Sequence, residues 1–205
     1  MGPREIIISK CNELFLRYGV KNLTMDDIAR ELGMSKKTIY QYVQNKSDLV
    51  KKVMQSHLDK ELTFIQEVSK NAGNAIEENV RMLTYMSKEL QSFNSSVFFE
   101  LQKYYPESYD LFNEYREKVS LPHILRNLER GIREGLYRTD MDPEIVARIY
   151  VYALDILIDQ QRFPSKKYHF YILYKEFVNY HLSGILTPKG SKYLEQSKLL
   201  KLIEQ

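Results

Sequence analysis

Apolar positions recur at helical spacing along nearly the whole chain, and no run alternates convincingly at the spacing of a strand between hairpin signals. The pattern predicts an all-α fold. In 4–18, Ile7, Cys11, Leu14, Phe15 and Tyr18 form one apolar stripe, which Gly19 ends. Thr24 to Asp27 has the spacing of a capped helix start, with Met25, Ile28, Ala29 and Leu32 facing inward and Gly33 as the stop. Ser35 then caps a third helix that turns Ile39 and Val43 inward and Lys36, Lys37, Thr38, Gln41 and Tyr42 elsewhere. Ser47 is the expected cap of a fourth, carried by Leu49, Val53, Leu58, Leu62 and Ile65 to residue 70 or so. Residues 71–74 read as a linker. Further helices are expected over 75–92, 95–105, 107–135 with a break near Pro122, 143–162, 166–186 and 191–204.

Composition narrows what such a bundle can be. Of 205 residues, 43% are hydrophobic and 28% charged, the balance of a chain that folds. A single cysteine, Cys11, rules out an internal disulfide framework and points to a reducing, cytoplasmic setting. The four histidines are scattered at 57, 123, 169 and 181, away from any metal-ligand spacing, so neither a metal nor a cofactor is expected. No apolar span is long enough for a membrane helix, and no nucleophile-base spacing or glycine-rich phosphate loop points to an enzyme. Residues 1–60 hold 11 Lys/Arg against 7 Asp/Glu, whereas 61–205 hold 19 against 20, so the positive excess lies in the first segment.

Two short helices joined by a glycine turn, the second exposing basic and hydrogen-bonding side chains, form the hairpin that sets a helix into a DNA major groove. Ile28, Leu32, Ile39 and Val43 would fix the crossing of the two helices. A helical hairpin with no nucleic acid is the other reading. The run Leu23-Thr-Met-Asp-Asp-Ile-Ala-Arg-Glu-Leu-Gly-Met-Ser-Lys-Lys-Thr-Ile-Tyr-Gln-Tyr-Val-Gln-Asn-Lys-Ser-Asp-Leu49 resembles the DNA-binding signature of the TetR family of bacterial repressors. The resemblance covers residues 4–52; beyond it lie only weak echoes, Gly135-Leu-Tyr-Arg138 and Gly184-Ile-Leu-Thr-Pro-Lys-Gly190.

The resemblance implies that Thr24 meets a phosphate from a helix start, or serves only as a cap. Ser35, Lys36, Lys37 and Thr38 open the recognition helix toward base edges and phosphates. Tyr40 and Tyr42 are candidate backbone or thymine-methyl contacts, or packing aromatics. Gln41 is the candidate base reader, and Lys46 holds a phosphate or is a solvated lysine. The expected division is a helix-turn-helix domain over 1–46, a connecting helix over 47–70, and a larger helical domain for ligand sensing and dimerisation over 71–205.

In that larger part, 143–162 and 166–186 are apolar almost all round, which asks for a second subunit. They look like the family's dimer-forming pair, and the partners implied are a double-stranded operator, a second copy of the chain and a small-molecule effector. Aromatic density makes Phe93, Phe98, Phe99, Tyr104, Tyr105 and Tyr109, with nearby Phe112 and with Tyr152 and Tyr171, candidate walls of a ligand pocket, or ordinary core. Asp155 lies in an apolar run and either binds ligand, pairs across a dimer or reaches solvent. A ligand-independent nucleoid or division factor is the alternative function.

Overall fold

Capping side chains set the helix starts in the computed structural model, which describes residues 2–90, 94 and 96–197. The chain runs α1 (Pro3–Tyr18), α2 (Met25–Leu32), α3 (Lys36–Ile39), α4 (Lys46–Asn71), α5 (Ala75–Leu90), α6 (Ser96–Tyr104) and α7 (Pro106–Tyr115). A π-helical segment (Arg116–Ser120) leads into α8 (Leu121–Arg133), followed by α9 (Pro143–Leu157), α10 (Phe170–Ile185) and α11 (Pro188–Gln196). Among the described residues there is no named strand, only an isolated antiparallel bridge between Tyr137 and Leu186. The all-α expectation holds.

The differences from the expected boundaries have local causes. Asn45, not Ser47, caps α4, its Oδ1 accepting from the Asp48 amide at 2.9 Å. The α9 helix stops at Leu157 because the next residues enter a turn: the Asp159 carboxylate accepts from the Gln161 amide at 2.8 Å, and Pro164 disfavours helical geometry just before it. The break near Pro122 is a π turn. Proline has no N–H to give the Lys118 carbonyl, so the regular ladder cannot pass through it. The expected 191–204 helix is shifted to Pro188–Gln196, and the rest of it lies outside the described residues.

Contacts divide the chain into two compact units, Met1–Glu61 with Ser92–Tyr115, and Leu62–Gln91 with Arg116–Gln205. The sequence reading assigned everything past residue 71 to one body, whereas residues 92–115 fold with the N-terminal helices. Val97 and Leu101 of α6 explain this, being buried in the same cluster as Ile7, Phe15, Ile28, Ile39 and Val53. Cys11 is buried there too, and desolvation pushes its thiol up to about 12, which makes it a packing residue rather than a reactive one.

The second unit closes on a polar knot at the α4–α5 turn. Asn127 donates to the Ala75 carbonyl at 3.0 Å, Arg130 to the Ala72 carbonyl at 3.0 Å, and the Ala75 amide to Glu134 at 2.8 Å. Fully buried Tyr137 reaches the same Ala75 carbonyl at 3.1 Å. Its ring occupies the space where a Cβ on Gly131 would sit, with ring atoms 2.0 Å from that position. The two weak family echoes meet here: the Arg138 amide donates to the Ile185 carbonyl, the Thr187 amide to the Leu136 carbonyl, and Gly190 leaves room for that carbonyl.

On α10, His181 packs against the rings of Tyr150 and Phe177, and burial lowers its pKa to about 4. Above pH ~6.5 the imidazole is neutral in both folded and unfolded chains, so it adds no pH dependence. Below that, the unfolded chain takes up a proton that the folded one refuses, and stability is lost as pH falls toward the folded pKa. Between pH ~7 and ~4.5 this group removes about 2.5 kcal/mol. Urea unfolding of the wild type and His181→Phe across that window should give a flatter dependence for the variant by that amount; parallel curves would show the imidazole to be solvated.

Candidate nucleic-acid interface

Helix α2 starts in a reciprocal cap. The Asp27 amide donates to Thr24 Oγ1 at 3.1 Å while the Thr24 amide donates to the Asp27 carboxylate at 2.9 Å. The Thr24 hydroxyl also donates to that carboxylate at 2.6 Å, and these bonds hold the Asp27 pKa below the usual carboxylate range. Gly33 then takes the left-handed conformation at φ 62°, sending its amide back to Arg30 O and turning the chain toward α3.

Helix α3 opens with Ser35, whose Oγ accepts from the Thr38 amide at 3.1 Å and lies 2.8 Å from the Thr38 hydroxyl. Only Lys36–Ile39 is α-helical; the turn continues through weaker bonds, such as Gln41 N to Thr38 O at 3.3 Å and Val43 N to Ile39 O at 3.3 Å. Ile39 and Val43 are buried in the core of the unit, and Lys37, Tyr40 and Gln41 stand exposed on the other side. That division leaves one face for packing and one for contact.

The remaining expected contact residues differ in freedom. Lys36 is exposed but pairs with Asp26 of α2 at 2.9 Å, so a DNA phosphate would have to take over from a carboxylate already in place. Tyr42 is half-buried against the core, and its carbonyl accepts from Lys52 at 3.0 Å. Lys46 opens α4, donates to the Lys21 carbonyl at 3.1 Å and lies 5.8 Å from the centre of the Tyr105 ring. Partial burial lowers its pKa, and its position joins an ammonium to the positive end of a helix of 26 residues.

Sequence reasoning missed Glu100. This buried side chain of α6 accepts from the amides of Val20 and Lys21 at 2.6 and 2.8 Å and from the Ser96 hydroxyl at 3.1 Å. It fixes the turn between α1 and α2, where Gly19 has φ 80° and where a Cβ would sit 3.0 Å from the carboxylate oxygens. The one available signal was its place on the inward stripe between Val97 and Leu101.

The expected ligand residues fall into both units. Phe93 lies outside the described residues. Phe98 packs on Phe112 at 4.8 Å between ring centres, and Tyr109 on Phe112 at 6.3 Å. Tyr105 and Tyr109 pack against the N-terminal core, while Phe99 and Tyr104 are exposed with Lys103 over both rings. In the second unit, Tyr152 and Asp155 meet around buried Arg116, which donates to Asp155 at 2.6 Å and lies 4.9 Å from the Tyr152 ring centre. Tyr171 is half-buried on α10. Among the described residues no group of three or more His, Cys, Asp or Glu is arranged to hold a metal, and no helix is long and apolar enough to cross a membrane.

A capped helical hairpin with its second helix exposed defines a helix-turn-helix DNA-binding regulator. Residues 7–53 match the model of the bacterial regulatory proteins of the tetR family. The chain is 29% identical over 147 residues to an uncharacterized HTH-type transcriptional regulator, YdeS, of Bacillus subtilis, covering 70% of this chain and 72% of that one. A Staphylococcus aureus HTH-type transcriptional regulator, SAUSA300_2515, is 29% identical over 149 residues, covering 63% and 79%. In fold it is similar to a TetR-family regulator from Agrobacterium tumefaciens, with TM-score 0.73, 18% identity and coverage of 90% and 97%. It is also similar in fold to FadR from Bacillus subtilis, solved in complex with stearoyl-CoA, with TM-score 0.65, 21% identity and coverage of 88% and 98%. The chain belongs to the TetR family.

Removing the Glu100 carboxylate leaves two amides of the α1–α2 turn without their acceptor, at a cost of about 1–3 kcal/mol. Glu100→Ala should therefore speed hydrogen exchange of the Val20 and Lys21 amides and lower the unfolding midpoint of the first unit. Unchanged exchange at both amides would mean that water replaces the carboxylate without loss.

Proposed function

We propose that the chain is a repressor that binds a roughly palindromic operator in cytoplasmic DNA as a homodimer and is released by a small-molecule effector. The observation that carries this reading is the α3 turn, with Ile39 and Val43 buried and Lys37, Tyr40 and Gln41 outside. A helix so oriented offers a base-edge donor and acceptor in Gln41 and a cation in Lys37, while Thr24 and Lys46 lie at helix starts suited to phosphate. The effector part draws support from the similar fold of FadR, which holds stearoyl-CoA in its structure.

Support for the homodimer comes from α9 and α10. Ile145, Ile149 and Ile156 of α9 are 57%, 62% and 54% exposed, and Ile172 and Tyr180 of α10 are 52% and 81% exposed. Large apolar side chains at helical spacing on two neighbouring helices ask for a covering surface, and a second copy related by a two-fold axis supplies the same face in return. Two recognition helices would then enter major grooves about 34–36 Å apart.

Titration of a DNA site selected from a random pool, at several salt concentrations, tests the DNA reading. Gln41→Ala should cut the preference for that site over scrambled DNA by ~1–3 kcal/mol per half-site with the salt slope intact. Lys46→Ala should weaken both DNAs alike and lower the salt slope by about 1 per subunit, since one phosphate contact releases about one counterion. If the wild type shows no preference for any selected site, the operator reading fails.

Light scattering tests the assembly. The wild type should be a dimer at micromolar concentration, and Ile149→Asp, which sets a carboxylate in the apolar stripe, should be a folded monomer with much weaker operator binding. A wild-type monomer, or an Ile149→Asp dimer, would remove α9 from the interface.

A further inference from the structure

The second unit contains an open pocket of about 520 Å³ between the C-terminal half of α4, the π-helical segment and the start of α8. Its walls divide by chemistry. Leu62, Ile65, Val119 and Pro122 give it an apolar side, with Ile65 buried at its base. Lys70, Lys118 and Arg126 also line it, all three exposed and therefore at its mouth. No lining residue is acidic.

The groups behind this wall leave that positive charge uncancelled. Glu78 is buried, but Arg130 pairs with it at 3.0 Å and the Ser69 hydroxyl donates to it at 2.8 Å. Buried His123 lies 3.3 Å from the Arg126 guanidinium, which can only donate, so His123 Nδ1 accepts and the imidazole is neutral. Burial also lowers its pKa from the ordinary value, which keeps it uncharged near neutrality. The π turn contributes two of the lining residues, Lys118 and Val119, from a helical form that is rare and recurs at functional sites. The volume lies within the range of pockets that hold small organic ligands.

We propose that this pocket binds an amphipathic anion, a carboxylate or phosphate head at Lys70, Lys118 and Arg126 carried on an apolar body that lies against Leu62, Ile65, Val119 and Pro122. The proposal rests on the effector-controlled reading above and specifies the chemical class of the effector. Apolar contact supplies most of the affinity, and the cations select the head by charge-assisted hydrogen bonds.

Calorimetric titration of the full chain with decanoate, decyl phosphate, decanol and decyltrimethylammonium below their aggregation limits tests it. At least one of the two anions should bind saturably, and the tighter of the two identifies the head. Decanol and the cation should bind roughly tenfold more weakly or worse, as expected for the loss of a charge-assisted bond. Lys70→Gln combined with Arg126→Gln should weaken the preferred anion by roughly tenfold and leave decanol unchanged. Val119→Trp, which fills the pocket without touching the cations, should abolish binding of every probe; thermal melting of each variant shows whether it is folded. Equal affinity for decanol and the anions, no anion binding at all, or full binding by folded Val119→Trp would each overturn the proposal. DNA release is read separately: an anion that binds in the pocket yet leaves operator affinity unchanged keeps the ligand class and removes the effector role.

Discussion

A helix with four α-helical residues cannot hold itself together in water, because nucleating a helical turn fixes several residues for very few hydrogen bonds. Everything around α3 answers that constraint. Ser35 satisfies its first amides, Ile39 and Val43 bury its inner face, and half-buried Tyr42 extends the anchor past its end. The layer beneath is fixed in turn: the Thr24–Asp27 cap starts α2, Gly33 sets the angle of the turn, and Glu100 holds the α1–α2 loop. Its exposed face is therefore presented by a scaffold whose rigidity comes from elsewhere in the chain.

The second unit meets a comparable problem with charge. Glu78 is buried, which is tolerable only because Arg130 and Ser69 reach it, and Arg130 is itself held by Glu134 and the Ala72 carbonyl. The same side chains pin the α4–α5 turn, so a polar network in place of apolar packing sets where α4 ends and α5 begins. Arg116, buried with Asp155 and the Tyr152 ring about it, repeats the solution nearby.

Legibility in the sequence followed the range of the interaction. Thr24 and Ser35 could be read as caps because their partners lie three residues away. The inward stripes of α1 and α2 were readable from period alone, as was the apolar excess of α9 and α10. Glu100 was not, because the amides it serves are 79 and 80 residues distant, and an acid beside apolar neighbours reads as a flaw in the stripe. Asn45 displaced Ser47 as the cap of α4 because both fit and only the turn geometry chooses between them. Aromatic density located the rings of α6 and α7 without telling what they enclose: Tyr105 and Tyr109 pack into the N-terminal core, and the open pocket of the second unit is walled by other residues from three separate segments. The family echoes after residue 135 proved to be one packing arrangement seen twice, since the two segments bond to each other.

The π turn at Arg116–Ser120 also bears on how this chain tolerates change in length. Elsewhere in a helix, gaining or losing one residue rotates everything beyond it by about 100° and carries buried side chains out to solvent. A π turn already accommodates one residue more than an α turn would. Shortening this segment by one position would let it relax to regular geometry while Leu121, Leu128 and Gly131 kept their inward direction. The stretch is thus a built-in slack point, where the wall next to Lys118 and Val119 can be recut between relatives without disturbing the helix that follows.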